Sequence, residues 1–194
     1  ALGSARAMRQ LKSDPVPDEL IEKLIWAATR ASNPGNSQGW EFVVVRDPAT
    51  KRALRDAIAG GMAGMLGAAP DDRVSLAERR MRDGALHLVQ GLDRVPVLIA
   101  VCSRRVYPPG APLDLYLWSA VYPASQNLCV AARALGLGTT FTTFQAVAEP
   151  EVRRILGIPD DVYIGTLIPV GWPERPFGPV RRKPIEQVIH RERW

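Results

Sequence analysis

Two kinds of side chain in this sequence could do chemistry. Amides and hydroxyls crowd one short stretch, Ser32, Asn33, Asn36, Ser37 and Gln38, and cationic groups lie near both chain ends, Arg6 and Arg9 against Arg181, Arg182 and Lys183. The stretch passes from the end of an amphipathic helix into an apolar strand. Backbone N–H groups and side-chain amides there converge beside a sheet edge, where a flat ligand with a polar rim can be read. Guanidinium groups grip phosphate oxygens in a fork, so arginines from the two termini could share one phosphate if the tail returns to the N-terminal segment. Taken singly, the loop is also a plain helix-to-strand connection punctuated by Pro34, Gly35 and Gly39, and each basic residue a solvated surface charge.

Other chemistries lack their residues. The chain has two histidines and two cysteines, scattered, which do not make a zinc or iron site. There is no Gly-x-Ser-x-Gly elbow, no P-loop and no Gly-x-Gly-x-x-Gly after the first strand. Gly136-Leu137-Gly138 follows a helix rather than opening one and reads as its cap. His87 falls within a helical pattern and reads as a structural histidine. With no base-plus-nucleophile constellation, no catalytic side chain is assigned. An enzyme of this kind relies on a cofactor for its reaction.

Positioning these groups falls to a chain of 194 residues, sized for one domain with its own core and expected to form one over residues 1–194. Hydrophobic residues make up 46% and charged residues 23%, ordinary for a globular protein, and the net charge of +5 favours anionic ligands without demanding nucleic acid. Cys102 and Cys129 are too few for a disulfide framework, so a reducing, cytoplasmic setting is expected. No signal peptide or membrane span is read, and the opening Ala-Leu-Gly-Ser, without Met, suggests a trimmed N-terminus.

Pro17 suits a helix start, with Asp18 and Glu19 near the positive end of its dipole, and Leu20, Ile21, Leu24, Ile25 and Ala28 form an apolar stripe. Strands are expected near 40–46, 97–102, 139–144 and 163–170, with helices near 50–59, 74–92, 113–135 and 149–156 between them. This makes the fold α/β or α+β. Residues 60–65 read as a loose, glycine-rich segment and 68–72 as an exposed loop, the whole of 60–72 being a candidate lid. The run 113–135 carries charge only at Asp114 and Arg133, so it must be covered on all sides, by its own domain or by a partner subunit, and Pro123 is expected to start or kink it.

In order along the chain, several motifs resemble the nitroreductase-like family of FMN-dependent flavoproteins. They are Arg6-Ala7-Met8-Arg9 with Asp14-Pro15-Val16-Pro17, the stretch Ala31 to Trp40, Gln126-Asn127-Leu128 through Gly138, Ile168 to Pro173, and Arg182-Lys183-Pro184. The resemblance implies a mixed sheet flanked by helices and a homodimer with exchanged C-terminal tails, one FMN lying in each of two interface pockets. Arg6 and Arg182 would hold the FMN phosphate, and Arg9 would sit at the pyrimidine edge, where a fixed cation favours reduction. Ser32, Asn33, Asn36 and Gln38 would hydrogen-bond the cofactor, and Phe141, Thr142 and Thr143 would lie along the ring. Ala7 stands where the family usually has Ser or Thr, Ser32-Asn33 where Pro-Ser is common, and Gly39 where proline precedes Trp40.

The implied activity is NAD(P)H-dependent reduction, through FMN, of nitroaromatic, quinone or similar electron-poor small molecules. A specialised flavoenzyme of the same fold, such as a reductive dehalogenase or a flavin-consuming enzyme, is the alternative, followed by a flavin store without turnover. A nucleic-acid binder is disfavoured because the arginines are not interleaved with aromatics along a stripe.

Overall fold

The computed structural model describes residues 1–66 and 74–194. Helix α1 spans Asp18–Ala28, strand β1 Trp40–Val45, helix α2 Pro48–Leu66, helix α3 Leu76–Gln90 and strand β2 Val97–Arg104. Helix α4 follows at Asp114–Ala134, then strand β3 Gly138–Thr139, helix α5 Glu149–Leu156 and strand β4 Val162–Gly171. The sheet runs β1-β2-β4-β3 with every neighbouring pair antiparallel. Its parallel element is an isolated bridge between Ala7 and Thr139.

The central strand β2 is buried on both faces, and its alternation builds two cores. Val97, Ile99 and Val101 face α1 and α4, packing with Leu24, Ala28, Ala124 and Leu128. Leu98, Ala100 and Cys102 face α2, α3 and α5, packing with Leu54, Ile58, Leu88 and Val152. Strand β4 does the same with one interruption. Val101 pairs with Thr166 but Cys102 pairs with Ile164, so Gly165 is bulged out of register. Ile168 and Val170 belong to the first core, yet Val162 and Ile164, of the same parity, belong to the second. An extra residue exchanges the faces of everything beyond it, as a bulge must.

Helix α2 runs through Gly60 and Gly61 rather than ending near Ala59, so the expected loose segment is helical as far as residue 66. Leu54, Ile58 and Met62 are buried at four-residue spacing and carry the stripe past the glycines. A Cβ at Gly61 would lie 2.5 Å from the Val147 carbonyl oxygen, so this glycine serves close packing rather than a break. The expected loop at 68–72 and the remainder of the candidate lid lie outside the described residues, apart from the helical 60–66.

The hydroxyl-rich run 140–144 is not a strand; β3 ends at Thr139 and Phe144–Ala148 is a 3-10 turn. Thr140 donates to the Met8 carbonyl at 2.9 Å and Thr142 to the Leu167 carbonyl at 2.5 Å. Short hydroxyl side chains compete with ladder bonding for backbone partners, and here they prevail. Helix α4 starts at Asp114, well before Pro123, and continues through it. Pro123 is exposed, so its ring needs no room in the core, and what α4 loses there is one axial bond to the carbonyl four residues back.

Both cysteines are free and buried. Burial, with a smaller contribution from the Glu41 charge, pushes the Cys102 thiol up to about 12. Cys129 is also raised by burial, opposed by a hydrogen bond with Thr139. Thiolates are the reactive species. A disulfide-exchange reagent at pH 8 should therefore leave both thiols unmodified in the native protein and titrate both in urea; rapid native labelling of Cys102 would contradict this packing.

Candidate active site at the N-terminal strand and the returning tail

The N-terminal segment is pinned along the sheet edge. Met8 N–H donates to the Thr139 carbonyl at 2.8 Å and Lys12 N–H to the Trp172 carbonyl at 2.8 Å. Trp172 Nε1 donates to the Pro15 carbonyl at 3.1 Å. With Met8 buried and held, Arg6 and Arg9 are carried on a fixed backbone. The tail then comes back across this segment. Val180 N–H donates to the Gly3 carbonyl at 3.0 Å, Arg133 Nε donates to the Ser4 hydroxyl at 2.9 Å, and the Arg133 guanidinium lies 4.0 Å above the Phe177 ring.

Two cavities share Arg6 and Ala7. The smaller, about 200 Å³, is lined by Arg6, Ala7, Gln126, Cys129, Phe141 and Arg182 among others. Arginines from opposite ends of the sequence thus meet on one hollow. The larger, about 840 Å³, runs from Arg6 past Arg9 to Arg80, Asp83 and His87 of α3, and to Arg175.

Arg9 is the most constrained of these groups. Its Nε is buried with no hydrogen-bond partner. Burial, and then the Arg6 charge, pull its guanidinium below the ordinary value. A Cβ at Gly84 would lie 3.1 Å from Arg9 Cδ, so the smallest residue of α3 sits where the arginine stem passes. A buried donor without an acceptor costs about 1–3 kcal/mol. An anionic or carbonyl-rich ligand edge in the larger cavity would supply that acceptor, and the donor set fits the phosphate and pyrimidine rim of FMN.

Among the expected site residues, Arg6, Ala7, Phe141 and Arg182 come together on the smaller cavity, with Arg9 on the larger. Thr142 turns inward to Leu167, and Thr143 is exposed. Ser32, Asn33, Asn36 and Gln38 line neither cavity of this chain. Their loop is nonetheless a formed structure. Asn33 Oδ1 accepts from Gln38 N–H at 2.8 Å, Asn36 and Gln38 adopt positive φ of 49° and 48°, and Gly35, at φ 58°, lies under Tyr107. Left-handed backbone at Gln38 is uncommon for a non-glycine residue and marks a constrained loop.

His87 is exposed on the wall of the larger cavity, not enclosed as a structural histidine. Arg80, Asp83, Gly84 and Arg175 were equally unforeseen as cavity residues. Their signal was the three-and-four spacing of Arg80, Asp83, Gly84 and His87, which sets one polar stripe on α3 toward the site.

The sequence model of the nitroreductase family matches residues 2–172. The chain belongs to the nitroreductase family. Arg182 lies beyond the matched segment, in the returning tail. An NADH dehydrogenase of Thermus thermophilus is 33% identical over 193 residues, spanning 95% of this chain and 90% of its own. Iodotyrosine deiodinase 1 of Rattus norvegicus is 28% identical over 201 residues, spanning 97% of this chain and 67% of that protein. The same fold is seen in an oxidised iodotyrosine deiodinase solved with FMN and 3-iodo-L-tyrosine, at a TM-score of 0.76 and 22% identity, covering 97% of this chain and 95% of that one. For this member of the nitroreductase family, no described helix is long and apolar enough to cross a membrane. No group of three or more potential metal ligands clusters among the described residues.

Proposed function

We propose that this nitroreductase-family chain is an FMN-dependent oxidoreductase that reduces electron-poor small molecules, nitroaromatics or quinones among them, at the expense of NAD(P)H. The observation that carries the reading is the convergence of Arg6 and Arg182 on one hollow, contiguous through Arg6 with the cavity where the Arg9 Nε lacks a partner. Bound FMN would supply the hydride chemistry, accepting from the nicotinamide and delivering to the acceptor. The chain's own part is to bind and orient. Arg6 and Arg182 hold the phosphate, Phe141 borders the ring, and Arg9 presents a fixed, partly desolvated cation to the pyrimidine edge. A cation placed where negative charge accumulates favours the reduced state.

The functional unit in this reading is a homodimer of single-domain chains with exchanged tails and the cofactor between subunits. Leu115 on α4, Trp26 on α1 and the tail residues Ile185, Val188 and Trp194 are left exposed by the isolated chain, and Trp194 is 100% so. A partner's amide loop would bring Ser32, Asn33, Asn36 and Gln38 to the cofactor that this chain's arginines hold. A cytoplasmic setting goes with this reading, since the donor is NAD(P)H and both thiols are free.

A second reading, reductive dehalogenation on the same cofactor, draws on the identity with iodotyrosine deiodinase along nearly the whole chain. The purified protein should be yellow, bleach on anaerobic addition of NADH or NADPH, and regain colour with a nitroaromatic. A colourless protein with no affinity for FMN refutes the first reading. Release of halide from a halotyrosine, without turnover of nitroaromatics or quinones, selects the second.

A further inference from the structure

Arg80 and Arg175 line the larger cavity but take no part in the grip on FMN described above. Arg80 shares one face of α3 with Asp83 and His87, and Arg175 comes from the segment that follows β4. Among the described residues neither guanidinium has a hydrogen-bonding or ion-pair partner. Elsewhere in the fold such partners are common: Arg46 holds Asp18, Arg104 holds Glu41, and Arg153 holds Glu149. Together with Arg6 and Arg9, the cavity wall carries guanidinium groups opposed by a single carboxylate, Asp83. A concave wall of one sign focuses its field on whatever enters.

We infer that Arg80 and Arg175 form an anion subsite, apart from the phosphate grip of Arg6 and Arg182, that recognises a carboxylate or phosphate on the small molecule exchanging electrons at this site. The inference rests on the FMN reading for what reacts there, but the charge preference itself does not require it. Known ligand pockets span about 300–1,000 Å³. At about 840 Å³ this cavity has space for a second ring system beside a cofactor. Such an anion has two sources, an acidic acceptor such as a nitrobenzoate, and the 2′-phosphate that distinguishes NADPH from NADH.

The test uses the purified protein and its R80Q/R175Q variant. Calorimetric titration compares 4-nitrobenzoate with its uncharged methyl ester, and steady-state KM values compare NADPH with NADH at a fixed neutral acceptor. In at least one arm the unmodified protein should prefer the charged ligand by about tenfold, the effect of one charge-assisted hydrogen bond. The variant should lose that preference with its FMN content intact. Loss in the first arm names an acidic acceptor, and loss in the second names the 2′-phosphate. Equal treatment of charged and uncharged ligands in both arms overturns the inference, as does a preference that survives in the variant. Release of FMN from the variant overturns it too, since these arginines then serve the cofactor. Calorimetry needs neither flavin nor turnover, so a colourless protein that still prefers 4-nitrobenzoate refutes the FMN reading and leaves the subsite standing.

Discussion

Replacing Arg6 and Arg182 together with alanine should yield a folded protein that no longer retains FMN through gel filtration. The two guanidinium groups reach one hollow from opposite ends of the chain, and Arg6 has no hydrogen-bond or ion-pair partner among the described residues. A charge-assisted hydrogen bond contributes about 1.5–3 kcal/mol. Both side chains are exposed, so the lower end applies to each. Loss of the pair then weakens FMN binding by about a hundredfold. Either single change should give about a tenth of that effect, and raised salt should weaken the unmodified protein more than the double variant. The visible flavin band after desalting measures retention, and circular dichroism checks the fold. Unchanged flavin content in the double variant would remove the assignment of these residues and, with it, the main support for the proposed function.

The second large effect is structural and lies at Gly165. A Cβ there would sit 2.0 Å from Val121 Cγ1 and 3.3 Å from the Val101 carbonyl oxygen. Val121 is fully buried on α4, so it has nowhere to turn. Gly165 is also where β4 slips register and exchanges its two faces. Overpacking a core position costs about 1–3 kcal/mol, occasionally more. G165A should lie at the upper end, about 3 kcal/mol, with Tm lower by roughly 6–12 °C for a chain of this size. Thermal unfolding measures it. In a V121A background the 2.0 Å clash is gone, and what remains is the Cβ of residue 121 at 3.4 Å, which is ordinary, and the Val101 carbonyl oxygen at 3.3 Å, which a small shift relieves. The double variant should then be more stable than the sum of the single losses by about 1 kcal/mol or more. Strict additivity would show that the bulge, and not the approach of α4, sets the cost.

Helix α4 was foreseeable because a long apolar run with charge only near its ends reads as a helix, although Leu115 and Tyr122 stay exposed in the isolated chain. Strand β2 was foreseeable because a β-branched run between Pro96 and a loop has few other fates. Helix α5 was read at its observed bounds, Glu149–Leu156, ending in a left-handed Gly157. The misreadings share a cause. Gly60 and Gly61 look like a break until Val147 is packed against Gly61, and Thr140 and Thr142 look like strand residues until their hydroxyls find Met8 and Leu167. Each depends on a partner remote in the chain, which local propensity does not register.

The amino-acid sequence by itself determined the helix and strand periodicities, the cluster of amides and hydroxyls between Ser32 and Gln38, and the concentration of arginine at both ends. Those are properties of residue type and spacing, and they travel with the chain whatever its fold. Tertiary structure alone decided that the tail returns across Gly3, that Arg6 and Arg182 share a hollow, and that Arg80, His87 and Arg175 wall the larger cavity. Convergence of distant groups follows from how the sheet is ordered and where backbone hydrogen bonds pin the termini. Neither is written in any local stretch of the sequence.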